Sequence, residues 1–210
     1  VWILFLERDG TVKAHQKICD TTGGLLATLD DFDRFGSSSS GLGDLDGDGT
    51  PDVIVGARED DDGGINRGAA YVLFLNPDGT VRAEQKISDT TGGLTGVLDD
   101  FDEFGHDVAG IGDLDGDGID DAAVGSFGDD DGGPNRGAAY VLFLNADGTV
   151  RAEQKLSAAA GPLAAALGDE DRFGNALVGI GDIDGNGTPD LAVAASEDDD
   201  GALDAGAVHL

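Results

Sequence analysis

The chain has 210 residues, 40% of them hydrophobic, and carries 43 acidic against 12 basic side chains for a formal net charge of −31. Such a charge excludes nucleic acid and anionic membrane as partners, because like charges repel, and it favours cations. No apolar run approaches the length of a membrane span, no signal peptide is visible, the start at Val1 rather than Met fits a missing natural start, and a single cysteine, Cys19, excludes an internal disulfide framework.

The first element is "VWILFL" from Val1, an apolar strand. The next feature is "GDLDGDGTPD" from Gly43, which sets four carboxylates within nine residues, with glycines between them. The strand "VIVGA" follows, then an acid-rich linker, "REDDDGGINRG" at 58–68, then "YVLFL" and "NPDGTVRAEQKIS". From there the chain repeats itself. Asp44, Asp113 and Asp182 are spaced 69 residues apart, as are Phe5, Phe74 and Phe143 and the pairs Phe35-Gly36, Phe104-Gly105 and Phe173-Gly174. A fixed period of this kind is the mark of a repeat architecture.

The second period shows the unit most clearly. A strand near Gly105 to Ile111 leads into the acidic loop "GDLDGDGIDD", and a strand near Asp121 to Ser126 leaves it. Gly137 to Leu144 is apolar throughout, as a central strand covered on both faces should be. "NADG" is a hairpin signal, and Thr149 to Ser157 alternates as an outer strand with one wet face. "GPLAAALG" from Gly161 to Gly168 suits a short helical turn. The third period brings "GDIDGNGTPD", "LAVAA" and finally "GAVHL", which is the third strand of a unit, as "VWILFL" is.

A four-stranded antiparallel meander in tandem predicts an all-β fold of β-propeller blades, each sheet burying its face against the next. The period divides the chain into a trailing half blade with its linker at 1–34, blades at 35–103 and 104–172, and a partial blade at 173–210. Propellers close with roughly four to eight blades, so one chain holds an incomplete ring. Further blades of a longer chain, or copies of itself, would complete it.

Within each acidic loop, side-chain oxygens fall at positions 1, 3, 5 and 9. They belong to Asp44, Asp46, Asp48 and Asp52; to Asp113, Asp115, Asp117 and Asp121; and to Asp182, Asp184, Asn186 and Asp190. Calcium takes six to eight oxygens in a flexible cage, at about 2.3–2.6 Å. Position 7 varies in type, Thr50, Ile119 and Thr188, which fits a ligand that offers only its backbone carbonyl. Three calcium sites are therefore expected, and the third should be the weakest, because Asn186 supplies a neutral oxygen. Magnesium demands a near-ideal octahedron and fits less well. An EF-hand would need flanking helices and a Glu at position 12, where Val55, Val124 and Val193 stand.

Phe-Gly, then Asp-x-Asp-Gly-Asp-Gly-x-x-Asp, then a Val-Gly-Ala-like strand resembles the FG-GAP repeat, the unit of the integrin α-subunit propeller and of many bacterial surface and secreted proteins. The resemblance implies a blade whose first two strands are joined by the calcium loop. The GAP portion departs from the pattern, reading Gly56-Ala57-Arg58, Gly125-Ser126-Phe127 and Ala194-Ala195-Ser196. The function expected is a calcium-binding extracellular or cell-surface scaffold for adhesion, with calcium structural rather than signalling. The linker at 58–68 and its copy near 128–137 are the candidate blade-face loops for a protein or glycan ligand or a second cation contact, with a solvated acidic turn as the first reading of them. An array of blades acting as spacers is the alternative. A non-catalytic part of a secreted enzyme ranks below it.

No nucleophile motif accompanies His15, His106 and His209, which occupy three different repeat positions, and the chain reads as a non-enzyme. Phe35, Phe104 and Phe173 read as packing residues, as do Trp2, Tyr71 and Tyr140, which share one strand position. Arg67 and Arg136 read as loop anchors. Cys19 reads as a serine-like strand residue, with Ser88 and Ser157 as its counterparts.

Overall fold

The computed structural model describes residues 1–159 and 161–210. Four antiparallel sheets follow one another along the chain. The first pairs β1 (Trp2–Leu6) with β2 (Val12–Lys17). The second is a meander of β3 (Ser39–Gly43), β4 (Asp52–Ala57), β5 (Ala69–Leu75) and β6 (Val81–Ile87). The third repeats it with β7 (Val108–Gly112), β8 (Asp121–Ser126), β9 (Ala138–Leu144) and β10 (Val150–Ser157). A 3-10 turn at Pro162–Ala165 precedes the last sheet, β11 (Phe173–Gly181), β12 (Asp190–Ala195) and β13 (Ala207–His209). The innermost strands β3, β7 and β11 lie side by side. These are blades of a β-propeller in an incomplete ring.

Sequence explains the order of strands within a blade. All seven residues of β5 are buried, and so are six of seven in β9, as uninterrupted apolar strands in mid-sheet require. Each leads into a tight turn in which Gly79 (φ 78°) or Gly148 (φ 79°) takes the left-handed conformation, and Asn76 and Asn145 close the hairpins through Thr80 and Thr149. The outer strands β6 and β10 are more covered than simple alternation suggests. The linker arriving from the previous blade lies along them: the Val81 and Val150 amides donate to Gly23 O and Gly92 O, at 2.7 and 2.8 Å. Glu84 and Glu153 accept from the linker amides of Leu26 and Thr95.

The core lies between sheets. One cluster joins Leu42, Ile54, Val72 and Phe74 to Val108, Val124, Tyr140 and Leu142 of the next blade. A second joins Ile111, Ala123 and Val141 to Leu177 and Val193, and a third joins Ile18 and Leu25 to Val55, Tyr71 and Leu73. Backbone bonds reinforce this stacking, as Phe104 N donates to Arg67 O and Phe173 N to Arg136 O, both at 2.9 Å. Phe104 and Phe173 are fully covered and meet Tyr140 and His209 edge-on, with centroids 5.3 and 5.5 Å apart. Phe35 meets Tyr71 in the same way but is only half-buried.

Two readings need correction. Trp2 is 55% exposed, whereas Tyr71 and Tyr140 at the same repeat position are fully buried. Its sheet has two strands, so no inner strand pair covers the ring, which rests on His15 and Lys17 instead. Cys19 lies beyond β2 in an isolated bridge with Thr22, not in a strand. Among the described residues, no helix is long and apolar enough to cross a membrane.

Candidate metal centres

Each acidic loop joins the two inner strands of its sheet, β3–β4, β7–β8 or β11–β12. The loops curl because glycine can hold positive φ: Gly47 and Gly49 sit at 74° and 93°, and their copies in the other loops match them closely. The curl turns carboxylates onto amides. Asp44 accepts from Gly49 N, and Asp113 accepts from Gly116, Asp117 and Gly118. Asp182 accepts from Gly185, Asn186 and Gly187.

Position 9 works as a staple. Asp52 is fully buried and accepts from Leu45 N and from Leu75 N, each at 3.0 Å, tying the loop to the far end of β5. Asp121 does the same with Leu114 N and Leu144 N. Desolvation raises the pKa of both carboxyls, against the lowering effect of those amides. Asp190 is less covered and accepts from Ile183 N.

The structure gathers three carboxylates in each loop, with oxygens within 4.8 Å of one another: Asp44, Asp46 and Asp48; Asp113, Asp115 and Asp121; Asp182, Asp184 and Asp190. Oxygens on opposite sides of a calcium ion stand about 5 Å apart, so hard anionic donors are grouped on the scale of one divalent ion. The remaining residues contribute differently. Asp52 sits on its two amides, and Asp117 and Asn186 accept from the position-7 amides of Ile119 and Thr188. Thr50 N donates to Asp48.

Sequence reading missed the arginines. Arg82 on β6 bonds Asp46 through one guanidinium nitrogen, Nη2, which also lies 3.0 Å from Asp48. Arg151 on β10 places Nη2 at 2.5 and 2.9 Å from Asp115 and Asp117. The signal was present, since both arginines recur in "TVRAEQK" at the 69-residue step.

On the opposite edge of the sheets, the linker 58–68 contains a second acidic group. Its cation is a lysine: Lys86 lies 2.8 Å from buried Asp60 and 3.2 Å from Asp62, and Lys155 pairs likewise with Asp129 and Asp131. Arg67 bonds Asp89 and Asp100, and Arg136 bonds Asp169 and Leu167 O, so both anchor loops. The histidines are dispersed: His15 packs at a tilt against Trp2, His106 at a tilt against Phe127, and His209 meets Phe173 edge-on.

The FG-GAP repeat family matches residues 35–73. The chain is 33% identical to integrin alpha-5 of Xenopus laevis over 166 residues, which is 77% of this chain and 14% of that protein. It is 37% identical to integrin alpha-IIb of Mus musculus over 158 residues, 72% of this chain and 14% of that protein. Against integrin alpha-3 of Cricetulus griseus it is 30% identical over 204 residues, 94% of this chain and 17% of that protein. The chain thus spans less than one fifth of the length of these curated relatives.

Proposed function

Because the chain is a stretch of FG-GAP repeats similar to part of an integrin alpha chain, we propose that it is a calcium-stabilised section of an extracellular or cell-surface adhesion propeller. Three calcium ions would sit in the loops at 44–52, 113–121 and 182–190. Their ligands would be Asp44, Asp46, Asp48 and Asp52; Asp113, Asp115, Asp117 and Asp121; and Asp182, Asp184, Asn186 and Asp190. The carbonyls of Thr50, Ile119 and Thr188 would complete the sets. The observation that carries the reading is the grouping of three carboxylates at one place in each of three successive sheets.

The metal's role in this reading is structural. Each loop clamps a strand pair inside a sheet, so an ion there favours the folded chain by mass action. A protein or glycan ligand would then dock on the opposite edge, where the loops at 58–68 and 128–137 join β4 to β5 and β8 to β9. Thermal unfolding with millimolar calcium and then with excess chelator tests the proposal. The melting temperature should drop on chelation, and an unchanged value would sink the structural role.

A further inference from the structure

We propose that Arg82 and Arg151 are tethered competitors of the metal: each guanidinium holds the carboxylates at loop positions 3 and 5 while the loop is metal-free, and leaves when a divalent cation enters. This inference rests on the calcium reading. A single nitrogen, Nη2, lies between the two carboxylates in both blades: Arg151 donates to Asp115 and Asp117, and Arg82 donates to Asp46 with Asp48 in ion-pair contact at 3.0 Å. It takes oxygens that the same two side chains would offer an ion. The arginines come from the outer strands, far along the chain from the loops, and Arg82 also lies over the Phe74 ring at 6.0 Å.

The alternative is a brace that orients the ligands for the metal. The bonds that shape the loop argue against it. Asp113 accepts the amides of Gly116, Asp117 and Gly118, whereas Arg151 pairs with Asp115 and Asp117. Asp182 accepts the amides of Gly185, Asn186 and Gly187 in the same way. The curl is thus held by its own amides, so the arginine supplies charge rather than shape. A fixed positive charge about 5 Å from a divalent ion at a water-exposed site weakens binding on the order of tenfold. Moving the guanidinium aside also forfeits its two carboxylate contacts.

Calcium titration calorimetry on the chelator-treated full chain and on R82Q/R151Q tests this. Two sites should tighten about 3- to 10-fold in the double variant, and one site in R82Q or R151Q alone. The melting temperature of the calcium-free double variant should fall below that of the parent, while the calcium-loaded forms melt together. Weaker binding in the variants would identify a brace and overturn the proposal, as would unchanged binding. If the parent chain itself takes up no calcium, the calcium reading fails and this inference with it. Calcium uptake by the parent without tightening in the variants defeats this inference alone.

Discussion

Asn186 takes the position held by Asp48 and Asp117 in the other loops, and its side-chain oxygen accepts from the Thr188 amide, as those carboxylates accept from Thr50 and Ile119. The amide therefore copies the geometry of the carboxylate and lacks only its charge. Site affinity for calcium follows the number of charged ligands, so Asn186→Asp should tighten the third site several-fold in a calorimetric titration. Asp102 poses a different electrostatic problem. It is 3% exposed, lies near Asp129, and feels the charge of Lys155, which pairs with Asp129 and Asp131. Desolvation first, and then repulsion from Asp129, push its carboxyl up to about 7, against the amide of Asp99 and the charge of Lys155. Asp33 and Asp171, one period away on either side, are raised for the same leading reason. A raised folded pKa means the native state holds the proton longer than the unfolded chain does. Its stabilising effect is complete below the ordinary value of 3.8 and is lost as pH rises through 7. Asp102→Asn keeps an acceptor for Asp99 N and cannot ionise. The variant should therefore gain on the parent between about pH 4 and 8, by up to about 4 kcal/mol. Denaturant melts of both proteins across that range check it, and parallel curves would show that Asp102 does not titrate there.

Blades meet where two backbones come too close for a side chain. A Cβ built on Gly125 would stand 2.0 Å from Gly174 O of the next blade, and one on Gly56 would stand 2.0 Å from Gly105 O. The glycine of Phe-Gly thus packs on the glycine of the preceding blade's second strand, which gives a physical reason for both halves of the motif. Gly125→Ala forces the sheets apart and should cost about 1–3 kcal/mol, the usual penalty for overpacking, read as a lowered denaturation midpoint. At this level much was legible in advance. Strand order followed from the unbroken apolar runs of β5 and β9, and turn position followed from Gly79 and Gly148. The carboxylate groups followed from alternation through a glycine loop. What stayed hidden depends on neighbours far along the chain. Glu84 binds Leu26 N, 58 residues away, and Arg82 reaches Asp46, 36 residues away. Local spacing carries no mark of such pairings. Trp2 was misread because its repeat position promised a covered strand, whereas burial there depends on strands that its two-stranded sheet lacks.

Taken whole, the molecule works against its own charge. A formal net charge of −31 on 210 residues repels itself most when compact, so folding concentrates the repulsion. The fold answers with local pairs: Lys86 and Lys155 on one edge, Arg82 and Arg151 on the other. Twelve basic side chains cannot neutralise 43 acidic ones, and three divalent ions would remove only six charges. Two kinds of cation should therefore stabilise the chain by separable routes. Monovalent salt screens the diffuse repulsion over a Debye length of about 10 Å at 0.1 M, without any site. Calcium, in the proposed reading, would fill three defined places. In the calcium-free protein, raising sodium chloride from about 0.02 to 0.5 M should raise the melting temperature steadily as screening tightens. With calcium saturating, the same salt series should give a smaller rise, because the densest clusters are already neutralised. Differential scanning calorimetry over both series decides the matter. Equal slopes would mean that the acidic loops contribute no more to the repulsion than the rest of the surface, and that calcium stabilises the blades through coordination geometry alone.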